Sequence, residues 1–75
     1  MKDKVDLYVV NKVKARRVEN KISQAALAYD LDVSIGFIGQ CESSKYAAHY
    51  NVKHLNKLGR ILKCSPQDFL PVKPI

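Results

Sequence analysis

Two helical patterns in this chain stand two residues apart, and that separation limits the available folds more than any other feature. The stretch ISQAALAYDL carries Leu27, Ala28 and Leu31 as an inward stripe behind the N-cap Ser23, and SIGFIGQC resumes behind a second cap, Ser34. Only Asp32 and Val33 lie between them. So short a link leaves room for a tight turn and nothing more, so the two helices meet at a sharp corner, the geometry of a helix-turn-helix.

The rest of the chain reads as helices too. Val5, Val9 and Val13, with Tyr8 and Val10, recur at helical spacing and predict a first helix from about Asp6 to Glu19, with Asp3 or Asp6 supplying negative charge to its opening turn. A polar and aromatic connection, SSKYAAHYN, follows Glu42; Val52, Leu55, Leu58, Ile61 and Leu62 then predict a fourth helix capped by Asn51. In SPQDFLP, Ser65 is a cap, Pro66 takes the first helical position, Asp68 adds a carboxylate and Pro71 closes a one-turn fifth helix. No run alternates with period two for long enough to suggest a sheet, so the expected fold is all-α, a compact five-helix domain. At 75 residues, only one compact core is within reach, and residues 1–75 are expected to form a single domain.

Thirteen lysines and arginines against seven acids give a formal charge of +6, which attracts polyanions: nucleic acid first, an acidic membrane surface second. No apolar run approaches the roughly 20 residues needed to span a bilayer, and the N-terminal stretch has no apolar core of signal-peptide length. A cytoplasmic location without membrane attachment is therefore expected. Cys41 and Cys64 replace apolar residues in apolar patterns and fit no metal-ligand spacing, so both are expected as buried free thiols. His49 and His54, five residues apart, do not share a helix face and are expected to be solvated. With no nucleophile–base arrangement, phosphate loop or carboxylate pair, no enzymatic activity, metal or cofactor is expected.

Across VKARRVENKISQAALAYDLDVSIGFIGQCESSK and again in LNKLGRILKCSPQDFL, the chain resembles the repressor-type helix-turn-helix family of lambda repressor, Cro and the xenobiotic-response-element regulators. Gln24 opens the second helix, Ala28 is the small residue at the helix crossing, Val33 and Ile38 take buried positions, and Arg17 and Glu42 take those of the family's ion pair. The resemblance implies that the third helix lies in the major groove while the second crosses the DNA backbone, over a motif of about residues 24–43. Asp32 departs from the glycine usual at this corner, where φ is positive, but Asp tolerates that region.

At about 100° per residue, Ile35, Gly36, Gly39, Gln40 and Ser43 share the groove-side face of the third helix, with Ile38 and Cys41 opposite. The glycines either let backbone approach a partner closely or are surface residues tolerated because packing holds the helix. The DNA-binding residues implied are Gln24, Ser34, Ile35, Gly36, Phe37, Gln40, Ser43 and Lys45. The family's base readers fall on Ile35, Gly36 and Gln40. Ile35 suits a thymine methyl, Gln40 suits adenine, and Gly36 reads nothing, so direct readout is sparse and A·T-leaning. Gln24, Ser43, Lys45 and the backbone amides opening the second helix face phosphates. Against this, the motif from Ile22 to Glu42 holds no Lys or Arg but contains Asp30, Asp32 and Glu42.

Two functions fit. One is a regulator bound to double-stranded DNA, with the apolar tail residues Phe69, Leu70, Val72 and Ile75, ending in the short segment 71–75, as a homodimer seam unless Phe69 and Leu70 only close the core. The other is a helix-turn-helix turned to binding a protein partner. One of Tyr46 and Tyr50 is expected to pack on the core.

Overall fold

The computed structural model describes residues 2–75. The order is α1 (Lys4–Glu19), α2 (Gln24–Leu31), α3 (Ile35–Cys41), α4 (Val52–Ile61) and a 3-10 turn (Pro66–Phe69), and no strand occurs among the described residues. The fold of the described residues is all-α, but with four α-helices rather than five. The last element stays a single turn because Ser65 and Asp68 close it on themselves: Ser65 N–H donates to Asp68 Oδ2 at 3.0 Å and Gln67 N–H to Ser65 Oγ at 3.2 Å. Leu70, preceding Pro71, is then driven into extended backbone (φ −103°, ψ 148°), where a helix cannot continue.

Each α-helix begins at a side-chain cap. Asp3 accepts the Asp6 N–H at 3.0 Å, so α1 starts at Lys4, two residues before its expected start. Ser23 and Ser34 accept from Ala26 and Phe37, each at 3.0 Å. At α4, Asn51 Oδ1 accepts from His54 N–H at 2.8 Å while Asn51 N–H donates to His54 Nδ1 at 3.1 Å, a reciprocal cap with histidine in the usual Glu or Gln position.

The core gathers Val9, Val10 and Val13 from α1, Leu27, Ala28 and Leu31 from α2, Ile38 and Cys41 from α3, and Leu55, Leu58, Leu62, Tyr50 and Phe69 from the C-terminal half. Cys41 is fully buried, which pushes its thiol up to about 11; Cys64 is half-buried, and burial raises it too. Both are free. Of the two tyrosines after α3, Tyr50 is the packed one and Tyr46 is half-exposed.

The glycine that packing requires is in α4. A Cβ on Gly59 would lie 2.8 Å from the Cys64 carbonyl oxygen and 3.1 Å from Pro66, so the 3-10 turn folds directly against bare α4 backbone. Arg16 holds the same corner from α1, its guanidinium donating to the carbonyls of Leu62 (3.4 Å) and Lys63 (3.2 Å).

Candidate nucleic-acid interface

Asp32 makes the corner between α2 and α3. It sits in the left-handed region (φ 61°, ψ 46°), and its N–H and that of Val33 bind the carbonyls of Tyr29 (3.2 Å) and Ala28 (3.0 Å), closing α2 with a Schellman-type pair. Val33 tucks against the core and Ser34 caps α3 at once. The small Ala28 side chain is buried in the core.

From this corner α3 presents two faces. Ile38 and Cys41 are fully buried, whereas Ile35 is 57% exposed and Gly36 and Gln40 are exposed. Gly39 and Ser43 are half-buried at the edge of the same strip, with Lys45 exposed beyond them. Neither glycine is demanded by the chain's own packing: a Cβ on Gly36 or Gly39 would meet nothing nearer than 3.9 Å. Ser43 Oγ accepts the Lys45 N–H at 3.3 Å, leaving its own proton free to donate outward.

Behind the strip, Arg17 from α1 grips Glu42 in a two-pronged pair, Nε to Oε2 at 2.7 Å and NH2 to Oε1 at 2.9 Å, and its NH1 donates to the Ile22 carbonyl at 2.7 Å. Gln24 Nε2 donates to Glu42 Oε1 at 3.0 Å, so the carboxylate joins α1, α2 and the end of α3. Burial pushes the Glu42 carboxyl up, but the hydrogen bonds from Arg17 and Gln24 together with the Arg17 charge reverse this and leave it below the ordinary carboxylate range. The hydrogen bond to Glu42 raises Arg17 in turn. Gln24, expected to face phosphate, thus spends one amide hydrogen inside the protein and has a second to offer.

One expectation needs correction. His54, expected to be solvated, enters one aromatic cluster with Tyr50 and the half-buried Phe37: ring centroids lie 5.4 Å apart for Phe37–His54, 6.0 Å for Phe37–Tyr50 and 6.1 Å for Tyr50–His54. Phe37 reaches His54 of α4 because positions 37, 38 and 41 share the inner side of so short a helix. Burial, and after it the Lys57 charge, lowers the His54 imidazole. His49 is exposed.

Nothing in the sequence pattern points to Lys2. It is 8% exposed, and its Nζ donates to three carbonyls at the end of α3: Gln40 (3.2 Å), Ser43 (2.5 Å) and Tyr46 (2.7 Å). Nothing local in the sequence marks a contact across about forty residues; the available signal is the absence of a basic residue in the last turn of α3.

A capped helix pair meeting at a left-handed corner, with an exposed strip on the second helix and an Arg–Glu pair behind it, is the architecture of a repressor-type helix-turn-helix domain. Solved structures agree. The chain is similar to a hydroxypropylphosphonic acid epoxidase from S. wedmorenis (TM-score 0.76, 21% identity, over 89% of this chain and 35% of that one). It is similar to the biofilm master regulator SinR in complex with DNA (TM-score 0.70, 20% identity, 81% and 95% covered). It is also similar to an HTH_3 family transcriptional regulator from Vibrio cholerae (TM-score 0.72, 25% identity, 87% and 35% covered). The chain spans about a third of the length of the epoxidase structures it matches. No family model matches it, and no curated protein matches it in sequence. With the epoxidase and SinR, what is shared is the fold.

Proposed function

We propose that this domain is a DNA-binding transcriptional regulator that lays α3 in the major groove of a promoter or operator. The observation that carries the reading is the strip of Ile35, Gly36 and Gln40, exposed on α3 and continued past its end by half-buried Ser43, on a helix whose other side is anchored by the Arg17–Glu42–Gln24 network. Gln40 suits adenine and Ile35 a thymine methyl, the glycines let the α3 backbone approach the base edges, and Gln24, Ser34 and Lys45 beside the strip, with Ser43 at its end, serve as phosphate contacts. SinR, a protein of this fold, has been solved in complex with DNA.

Specificity from one small domain calls for a symmetric dimer on a pseudo-palindrome. Phe69 is 1% exposed and closes the core, so a seam falls to Leu70, Val72 and Ile75, exposed by 45%, 96% and 61%. Enrichment of a random duplex pool on the protein at moderate salt tests the reading: an A·T-leaning motif with two-fold symmetry is expected, and a pool with no enriched sequence refutes it.

One observation favours a second reading, a protein-binding module. No lysine or arginine occurs between Ile22 and Glu42, while Asp30, Asp32 and Tyr29 are exposed, Tyr29 by 86%. SinR has also been solved in complex with the protein SinI. Under this reading, affinity for a duplex is absent or rises only as salt falls, with no sequence preference.

A further inference from the structure

We propose that Lys2 is a positioning residue for the DNA-facing strip: it locks the last turn of α3 and the segment to Tyr46 in the arrangement that presents Gln40, Ser43 and Lys45, without itself touching DNA. This rests on the DNA-binding reading above. An ammonium has three N–H donors. All three are taken, by the carbonyls of Gln40, Ser43 and Tyr46 at 3.2, 2.5 and 2.7 Å, and the residue is 8% exposed, so nothing remains to reach a phosphate.

The carbonyls it joins belong to the residues whose positions matter. Gln40 is the directional base reader of the strip, Ser43 is its last member, and Lys45 lies between Ser43 and Tyr46. The local chain cannot hold this segment alone. α3 has seven residues, two of them glycine, and no basic residue in its last turn to meet the carbonyl end of its dipole. Nor does a neighbouring acid claim Lys2: Glu42 is committed to Arg17 and Gln24. Lys2 therefore supplies from outside α3 both the missing charge and the missing donors, as a tripod.

Lys2→Met keeps the hydrocarbon stem and removes the tripod. The experiment compares the wild-type protein, Lys2→Met and Lys45→Met for amide hydrogen exchange and for affinity to the enriched duplex across a salt series. In Lys2→Met, exchange is expected to accelerate at residues 40–46 and not in α1 or α4. Duplex affinity should fall about tenfold, the loss that follows when about a tenth of molecules hold the competent arrangement. The slope of log affinity against log salt should stay at the wild-type value, whereas Lys45→Met, losing a phosphate contact, should lower it by about 0.9. A lowered slope in Lys2→Met would make Lys2 a phosphate contact and overturn the proposal, as would unchanged affinity or exchange accelerated throughout the chain. A wild-type protein that binds no duplex would refute the proposed function, separately from the clamp, which exchange reads in the free protein.

Discussion

Removing Arg17 tests how the strip is anchored, and its cost can be worked from the contacts. The guanidinium makes three hydrogen bonds of 2.7–2.9 Å, two to Glu42 and one to the Ile22 carbonyl, and the two side chains are 11% and 3% exposed. Arg17→Ala leaves a buried carboxylate whose one remaining partner here is Gln24, which places the loss at about 3–5 kcal/mol. A domain of 75 residues has about 4–11 kcal/mol in total. At roughly 4 °C or more per kcal/mol for a domain of this size, the melting temperature should fall by about 12 °C at least.

The same variant makes a second forecast, of opposite sign to the wild-type behaviour. In the wild type, Glu42 is held below the ordinary carboxylate range, so the stability it contributes is present above that range and lost as pH falls through its folded value. Without Arg17 the largest remaining influence is burial, which raises the carboxyl. Acid should then relieve the variant: its deficit relative to wild type shrinks between pH 7.5 and 5, and Arg17→Ala combined with Glu42→Gln melts higher than Arg17→Ala alone. Thermal melts at both pH values check this. A deficit that is negligible at pH 7.5, or that grows in acid, refutes the account of the network.

Three further outcomes follow from other contacts. Gly59→Ala should cost about 1–3 kcal/mol in chemical denaturation because its Cβ meets the Cys64 carbonyl at 2.8 Å, while Gly39→Ala, with nothing nearer than 3.9 Å, should stabilise by up to about 1 kcal/mol. His54 is lowered, so acidification from its ordinary value near 6.5 down through the folded value should reduce stability; His54→Gln, which can keep the reciprocal cap, should flatten melting temperature against pH over that window. Gln40→Ala should lose about 1–3 kcal/mol of discrimination at one A·T position in a binding-site selection without lowering the melting temperature.

What the sequence shows clearly is what a short window encodes. Ser23, Ser34, Asn51 and Ser65 announce their elements, and the left-handed backbone at Asp32 is what the resemblance implies for this corner. Asp3 was ambiguous because Asp6 offered the same charge one turn later. How Phe37 packs is not legible, because it depends on where Tyr50 and His54 arrive. Gly59 and Lys2 were illegible for a deeper reason. The atoms that make them matter, the Cys64 carbonyl and the carbonyls around Ser43, take position only when separate segments have packed.

These long-range contacts also bear on why the two worst non-proline helix formers sit in α3. A seven-residue helix is far below the roughly 12–15 residues at which an isolated helix becomes even marginal, and each glycine costs about 1 kcal/mol more than alanine. α3 is therefore helical because other segments hold it: Arg17 and Gln24 through Glu42, Tyr50 and His54 through Phe37, and Lys2 at its carbonyl end. All of these act from the inner side or the ends. With stability supplied there, the outer face is freed from helix propensity and can present bare backbone at Gly36 and Gly39 beside Gln40. The same arrangement commits the donors of Lys2, Arg16 and Arg17 inside the protein, so the formal charge of +6 overstates the number of cations free to contact phosphates. DNA binding by this domain should accordingly show a shallow salt dependence for its charge, with shape and close approach supplying much of the discrimination.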